Sequence, residues 1–308
     1  MKGLVYKSTG SWYQIRDEAG KLHQARIKGR FKMDGLTSTN PIAVGDYIDF
    51  KVEDIEEATV IIDDIYPRKN YITRQSPHNR NIQHIIASNL DQSLLMATLR
   101  SPKTSTGFID RFLAASEAFH VPAILVFNKS DVYKEKDLIK FEEIKEVYQP
   151  LGYPVFLISV AEKKGLKEIQ DLLKDKTTLL SGHSGVGKSS FINFLIPGAD
   201  LRTKEVSDWS GKGLHTTTFA EIYDLDFGGK IIDTPGLREF ALMDISKTEL
   251  SHYFPEMRAL INECRFNNCM HISEPGCAVK KAVEEGRIYP ERFFSYLNIL
   301  DSMENKYS

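Results

Sequence analysis

Cysteine is scarce in this sequence. The 308 residues contain three, Cys264, Cys269 and Cys277, and all of them fall within one short segment. An odd, closely spaced set does not fit the even-numbered disulfide framework of small secreted proteins. In a reducing compartment such a group is more typical of a metal site than of a disulfide.

The sequence also lacks segments that direct a chain into or through a membrane. Its first residues, Met1-Lys2-Gly3-Leu4, contain no apolar core of a signal peptide, and no run reaches the roughly 18 apolar residues of a membrane span. We therefore expect a cytoplasmic protein, monomeric and without a membrane partner. With 42% hydrophobic and 27% charged residues, the chain can bury a core, which excludes a mainly disordered protein.

A large net charge is absent too, since the formal value is −2, but the charge is unevenly distributed. Residues 1–32 hold eight basic side chains against Asp17 and Glu18. Screening limits the reach of charge to about 8 to 10 Å, so a local basic region can attract phosphate on an acidic molecule. A solvated surface without a ligand is an equally good interpretation of this feature alone.

The first part of the chain alternates between apolar and polar residues. Segments 12–15, 47–52 and 59–62 have this period of two, and glycines and Asn40-Pro41 separate them. The pattern predicts a small β-barrel or sandwich. The polar, turn-rich stretch 67–81 that follows is interpreted as a linker.

From about residue 85 the pattern changes to apolar strands that alternate with helices. Strands are predicted at 94–99, 123–127, 155–158 and 177–180, and helices near 108–119, 137–148, 165–173 and from about 187. Such an alternation indicates a parallel sheet covered by helices on both faces. Helical patterns around the cysteines and over 290–301 predict a third, small domain. We divide the chain into residues 1–70, 71–244 and 245–308.

A phosphate-binding loop is predicted between a strand and a helix. The run Gly182-His183-Ser184-Gly185-Val186-Gly187-Lys188-Ser189 matches G-x-x-x-x-G-K-[ST]. Its glycines let backbone N–H groups surround a β-phosphate, Lys188 reaches the β and γ oxygens in a catalytic role, and the Ser189 hydroxyl ligates Mg²⁺. The adjacent Ser190 is included in the nucleotide-binding set.

The base is predicted from a second motif. Asn128-Lys129-Ser130-Asp131 follows the predicted strand 123–127 and matches the N-K-x-D signature of GTPases. A carboxylate at Asp131 can accept both the N1–H and the N2–H₂ donors of guanine, a pair that adenine does not offer. Asn128 and Lys129 would brace the base and the phosphate loop. The nucleotide is therefore predicted to be GTP.

Two further elements complete this site. Asp233-Thr234-Pro235-Gly236 follows an apolar strand and gives D-x-x-G, in which Asp233 holds the Mg²⁺ water shell and the Gly236 amide contacts the γ-phosphate. Ser159-Val160-Ala161 resembles the guanine-supporting S-A element, with Val160 in place of the usual alanine.

The segment between the phosphate loop and Asp233 contains three threonines, 216–218. One of them should complete the Mg²⁺ shell; the spacing does not choose between them, and we favour Thr217. The glutamine that commonly positions the attacking water after D-x-x-G is replaced by Leu237. His215 is the candidate for that catalytic role, against the alternative of a solvated loop histidine.

The cysteine segment has metal-ligand spacing. Cys264-x₄-Cys269-x-His271-x₅-Cys277 supplies three thiolates and one imidazole, a full tetrahedral set for one Zn²⁺. Since no coordination position stays open for water, the predicted site is structural.

The motifs run in an unusual order, because N-K-S-D and S-V-A precede the phosphate loop instead of following it. With this order, the β domain in front and the cysteines behind, the chain resembles the bacterial RsgA (YjeQ) family of circularly permuted GTPases over essentially its full length. The resemblance implies an OB-fold RNA-binding domain, a permuted GTPase domain and a zinc domain. It also implies action late in 30S ribosomal subunit maturation, with 16S rRNA contacts and subunit-stimulated hydrolysis of GTP to GDP.

Two alternatives remain open at this point. The chain could be an RNA-binding scaffold in which the nucleotide is only a structural ligand. It could also be a stress or metabolic GTPase that never meets RNA.

Overall fold

The computed structural model describes residues 1–10, 12–27, 41–54, 59–75, 83–199, 201, 220–234 and 245–304. The strands are β1 Lys2–Ser8, β2 Tyr13–Asp17, β3 Leu22–Ile27, β4 Tyr47–Asp54, β5 Thr59–Ile65, β6 Tyr71–Gln75, β7 Gln83–Ser88, β8 Gln92–Ala97, β9 Ala123–Phe127, β10 Val155–Leu157, β11 Thr177–Ser181, β12 Glu221–Asp224 and β13 Lys230–Asp233. The helices are α1 Thr106–Ala118, α2 Glu135–Tyr148, α3 Leu166–Leu173, α4 Lys188–Leu195, α5 Pro255–Arg258, α6 Ala278–Glu284 and α7 Pro290–Glu304. Of the helices in these ranges, none is long and apolar enough to cross a bilayer.

The first five strands form a closed barrel. They pair in the order β1-β2-β3-β5-β4, and β4 returns to pair with β1. Alternate residues such as Val5, Ile15 and Phe50 point inward and are at most 1% exposed, as expected from the period-two pattern of strands with one buried face. This confirms the predicted amino-terminal β-barrel with an OB-like arrangement.

The predicted linker over 67–81 is wrong in part. Residues 71–75 form β6, which pairs antiparallel with β7 in a separate two-stranded sheet. The composition of this segment did not reveal the strand, because few of its residues make apolar contacts. Ile72 is one of them and is fully buried. Positions 76–81 of the predicted linker lie outside the described residues.

A buried carboxylate joins the barrel to this hairpin. Asp46 is fully buried and accepts two hydrogen bonds of 2.6 Å from the Arg68 guanidinium. It also accepts from the Ser88 hydroxyl at 2.6 Å and from the Ala43 backbone N–H at 2.8 Å. A buried charge is tolerated only when its lone pairs are met in this way. The junction therefore depends on one buried carboxylate whose two oxygens both accept hydrogen bonds.

The central sheet follows the order β10-β9-β8-β11-β13-β12, and it is parallel except for the edge strand β12. Side chains of β8 alternate between two cores: Leu95 lies in the core with α1 and α2, and Leu94 in the core with α3 and α4. The predicted α/β core is thus confirmed. The chain runs outward from β8 to β10 and then returns to β11 on the other side of β8, which makes a topological switch point where ligands bind at strand carboxyl ends.

The barrel and the central sheet are continuous. Lys7 of β1 pairs with Glu221 of β12, and their side chains form an ion pair of 2.9 Å. The Tyr6 hydroxyl donates to Asp224, also in β12, at 2.9 Å. Strand β1 of the barrel therefore covers the edge strand β12 of the central sheet.

The carboxyl-terminal region is helical, as predicted, and packs on the central domain. Arg292 of α7 is nearly fully buried and bonds Asp110 of α1 at 2.7 Å. The same guanidinium makes a two-point contact with Glu256 of α5, at 2.7 and 3.0 Å. The Tyr148 hydroxyl of α2 donates to Asp110 at 2.6 Å. One buried arginine therefore links the cysteine-containing region to two helices of the central domain.

This network generates a stability prediction. Arg292→Ala leaves Asp110 and Glu256 buried without their partner, which should lower the free energy of unfolding by about 3 to 5 kcal/mol. Urea unfolding followed by circular dichroism would measure it. The matched control is Arg258→Ala, because Arg258 is half-exposed and pairs with Glu117 at the surface; its loss should cost less than about 1 kcal/mol. Equal effects for the two variants would contradict the prediction.

Candidate functional site

The predicted phosphate loop connects β11 to α4, and its glycines are required by close contacts. Gly182 has φ +144°, and a Cβ there would lie 2.3 Å from the Met96 carbonyl oxygen of β8. Gly187 has φ +102°, and its Cβ would lie 2.4 Å from Asn128 Nδ2. At both positions the positive φ and the close contact of a Cβ exclude residues other than glycine. The loop is thus pressed against the ends of the two neighbouring strands.

Lys188 and Asp233 place opposite charges beside this loop. The Lys188 ammonium donates to the carbonyl oxygens of Gly182 at 2.6 Å and His183 at 2.9 Å. Burial lowers the pKa of Lys188, and the nearby Asp233 carboxylate opposes that shift. Burial raises the pKa of Asp233, and Lys188 partly offsets it. The loop therefore holds a cation that can reach phosphate oxygens.

The surroundings of Asp233 fit a metal ion at this site. Asp233 ends β13, and its Oδ1 atom is buried with no hydrogen-bond partner in the described part of the chain. A buried carboxylate oxygen is costly unless a donor or cation meets it. Ser189 and Ser190 lie in the first turn of α4, half-buried. A carboxylate oxygen and a hydroxyl are oxygen donors of the kind that Mg²⁺ takes.

Asn128 connects the predicted base-binding motif to the phosphate loop. It follows β9 and is 3% exposed. Its Nδ2 donates to the Val186 carbonyl oxygen at 2.9 Å, and its Oδ1 accepts from the Val160 backbone N–H at 3.1 Å. One amide thus holds three loops together.

The rest of the N-K-S-D segment lies against the S-V-A loop. The Ser159 hydroxyl donates to Asp131 Oδ1 at 2.5 Å, and the Ser130 N–H donates to the Ile158 carbonyl oxygen at 3.0 Å. Lys129 adopts a left-handed conformation with φ 69°, and its ammonium donates to the Ser101 carbonyl oxygen at 2.6 Å. Asp131 is itself exposed, so a base could reach its carboxylate.

Sequence reasoning missed two residues that support these loops. Tyr133 accepts from the Leu99 N–H at 2.8 Å and donates to the Asn128 carbonyl oxygen at 2.7 Å. The Phe108 ring of α1 lies 3.8 Å, centroid to centroid, from the ring of His183 in the phosphate loop. Tyr133 lies two positions after N-K-S-D, a clue that the motif alone did not include. Nothing in the local sequence connects Phe108 with His183.

Three predicted site residues cannot be placed. Thr217, His215 and Gly236 lie outside the described residues. Their roles stay predictions from the sequence.

The three cysteines and His271 come together as predicted from their spacing. Their ligand atoms all lie within 4.8 Å of one another. His271 Nδ1 is 3.3 Å from Cys277 Sγ and 3.7 Å from Cys264 Sγ. A tetrahedral ion with Zn–S bonds of about 2.3 Å needs ligand atoms about 3.8 Å apart. The cluster, Cys264, Cys269, His271 and Cys277, could therefore hold one metal ion.

The chemistry of these ligands also fits a cation. Burial raises the pKa of Cys269 to about 12 and raises that of Cys277. Such thiols keep their protons at neutral pH unless a cation displaces them, because a metal binds the thiolate.

A carboxylate shapes the loop between these ligands and was not predicted. Glu274 accepts from the backbone N–H groups of Met270 at 2.9 Å, Ile272 at 2.8 Å and Ser273 at 3.0 Å. Burial alone would raise the pKa of Glu274, but these backbone donors lower it. Glu274, which lies between His271 and Cys277 in the sequence, therefore orders the loop through its carboxylate.

Comparisons with known proteins agree with this geometry. A family model described as RsgA GTPase matches residues 65–243, and one described as RsgA N-terminal domain matches residues 2–60. The chain belongs to the RsgA family of GTPases. It is therefore a GTP hydrolase, and the resemblance noted from its motifs is confirmed.

Relatives in this family match over nearly their whole length. The small ribosomal subunit biogenesis GTPase RsgA of Cytophaga hutchinsonii is 51% identical over 300 residues, 97% of this chain and 98% of that protein. The protein of the same name from Flavobacterium psychrophilum is 48% identical over 308 residues, 100% of this chain and 94% of that one.

Two solved structures of the family are similar as well. YjeQ from Thermotoga maritima has 32% identity and a TM-score of 0.78, with 99% of each chain covered. YloQ, described as a circularly permuted GTPase, has 29% identity and a TM-score of 0.74, with 100% of this chain and 96% of that one covered.

The contact of Gly182 with β8 generates a prediction for GTP binding. Gly182→Ala would place a methyl group 2.3 Å from the Met96 carbonyl oxygen, so the loop must move and GTP affinity should fall more than about tenfold, or 1.4 kcal/mol. Calorimetry would measure the affinity. Gly198→Ala is the control, because Gly198 has φ +96° but nothing within 4 Å. That variant should cost only roughly 1 to 2 kcal/mol of stability and bind GTP normally.

Proposed function

We propose that this chain is a GTPase that acts late in maturation of the small ribosomal subunit, binds it through 16S rRNA and hydrolyses GTP to GDP and phosphate with subunit-stimulated turnover. One observation carries the proposal: Asn128 joins the nucleotide site by bonding both the phosphate loop and the S-V-A loop. Relatives that match this chain over nearly their full length are named for this process. We keep the boundaries 1–70, 71–244 and 245–308 for the RNA-binding, GTPase and zinc domains.

In the nucleotide site, Asp131 selects guanine by accepting its N1–H and N2–H₂ donors, and the Ser159 hydroxyl orients that carboxylate. Val160, Ser130 and Lys129 shape the base pocket around it. The phosphate loop, from Gly182 to Ser190, surrounds the phosphates with backbone N–H groups. Mg²⁺, when bound with GTP, neutralises developing phosphate charge.

The magnesium ligands proposed here are the hydroxyls of Ser189 and Thr217, with Asp233 holding the water shell. Lys188 stabilises charge on the transferred phosphoryl group, which makes it catalytic. Gly236 contacts the γ-phosphate through its amide.

RNA binding is assigned to the barrel. Its sequence carries the basic excess over residues 1–32, and aromatic side chains remain exposed on it, with Tyr47 54% and Trp12 44% accessible. Positive charge beside exposed rings is the combination that RNA-binding barrels use, since phosphates meet the charge and bases stack on the rings.

Hydrolysis is expected to need a group that orders the attacking water, and Leu237 cannot do so. We assign that role to His215. His215→Ala should reduce the 30S-stimulated rate by on the order of 10²-fold and leave GTP affinity unchanged, since such a group acts in the transition state. Phosphate release at saturating GTP, with and without 30S subunits, measures it. His120→Ala, which removes an exposed histidine elsewhere, serves as the control.

Normal stimulation in His215→Ala would assign the water-ordering role to another group. An RNA-binding scaffold with a structural nucleotide would instead show no turnover with subunits even for the wild type. A GTPase unrelated to RNA would not cosediment with subunits in a GTP analogue.

The cysteine cluster is proposed to hold one structural Zn²⁺. Elemental analysis of the purified protein should give one zinc per chain, and Cys269→Ser should lose most of it. Structural zinc supplies folding free energy on the order of 10 kcal/mol, so the variant's carboxyl-terminal region should become sensitive to limited proteolysis while GTP binding remains. Asn268→Ser, at the adjacent exposed position, should keep the metal. A zinc-free wild type purified without chelator would overturn the assignment.

A further inference from the structure

A cavity outside the nucleotide site lies between the segment that follows β8, the first turns of α2 and the start of α7. Its volume is about 490 Å³. Basic side chains outnumber acidic ones four to two among the residues that line it, namely Arg100, Lys103, Lys136 and Lys140 against Asp137 and Glu291. The wall therefore carries a net charge of +2.

Two of these cations have no ion-pair partner in the described part of the chain. Arg100 pairs with Asp137 at 2.7 Å, and Lys140 pairs with Glu143 at 2.9 Å. Lys103 and Lys136 are exposed, and neither makes an ion pair with any residue that the structure describes. Two ammonium groups thus remain available to an anion in the same cavity.

The start of α1 adds donors to this wall. Ser105 caps the helix by accepting from the Phe108 N–H at 3.2 Å, and the first turn contains no acidic residue. Ser105 and Thr106, which both carry hydroxyl groups, are among the residues that line the cavity. Backbone N–H groups and the positive end of the dipole at the start of a 13-residue helix favour an anion, and they act here together with the two lysines.

We propose that this cavity binds a backbone phosphate of RNA, which gives the GTPase domain a contact of its own with the subunit. The inference rests on the proposed function. An exposed aromatic residue beside the cavity favours RNA over a free phosphate: Phe294 is 61% exposed and lies one helical turn after Glu291, on the same side of α7. A ring next to a phosphate site can stack on a base of the same strand.

The cavity is separate from the guanine site but adjoins it. Leu99, in the cavity wall, donates to Tyr133, which in turn bonds Asn128. Lys103 and Lys136 take no part in those hydrogen bonds. Their substitution should therefore leave GTP binding intact, which makes GTP affinity a control for folding.

The test compares Lys103→Gln/Lys136→Gln with a matched double variant, Lys145→Gln/Lys167→Gln. Lys145 lies in the last turn of α2 and Lys167 lies in α3, both outside the cavity and at the surface. The probe is a fluorescent 20-nucleotide uridylate, whose affinity is measured by anisotropy at several salt concentrations. Each phosphate contact on single strands contributes about 0.7 to the slope of log affinity against log salt, so the cavity variant, which loses its contact with one phosphate, should lose about 0.7. The control variant should keep the wild-type slope.

Several outcomes would overturn the assignment. An unchanged slope in the cavity variant would remove the two lysines from RNA binding, and no wild-type binding to uridylate would remove the phosphodiester as the ligand. Displacement of uridylate by excess GTP from the wild type but not from the cavity variant would assign the cavity to nucleotide phosphates. Cosedimentation of the wild type with 30S subunits is measured in parallel, because its failure would contradict the proposed function, whereas an unchanged slope with intact cosedimentation contradicts only the cavity proposal.

Discussion

The nucleotide site depends on one buried side-chain amide, that of Asn128. Its Nδ2 donates a hydrogen bond to the phosphate loop, and its Oδ1 accepts one from the S-V-A loop. One side chain therefore joins the loops that follow three strands. The same Nδ2 occupies the space in which a Cβ at Gly187 would lie. The two sequence motifs are therefore not independent: the asparagine of one requires the glycine of the other.

Buried carboxylates define how the outer regions attach to the central domain. Asp46 connects the barrel to the hairpin of β6 and β7, and Asp110 connects α1 to Arg292 of the carboxyl-terminal region. A shifted attachment would leave such a carboxylate buried without partners, at a cost of several kcal/mol. Apolar packing alone tolerates small displacements, whereas these contacts favour one arrangement. α1 also carries Phe108 against His183, so a single helix touches the phosphate loop and the carboxyl-terminal region.

Much of the fold was predictable because it depends on local patterns. Period-two strands, buried strands between helices, G-x-x-x-x-G-K-S and the cysteine spacing are short-range features, and each indicated the element that is found. What the sequence did not reveal comes from residues far apart in the chain. Asp110 and Arg292 are 182 positions apart, and no pattern connects them; β6 was missed because its pairing with β7 outweighs its polar composition. The parts assigned to His215 and Thr217 remain predictions.

The pairing of β1 with β12 has a consequence for how this protein can be divided. A sheet edge with free backbone N–H and C=O groups is a template for association with other chains. At one end, β10 offers only three residues; at the other, the barrel protects β12 through Lys7 and Glu221. The amino-terminal barrel thus protects the edge of the central sheet, and a fragment that begins after the barrel would carry an uncovered strand prone to self-association.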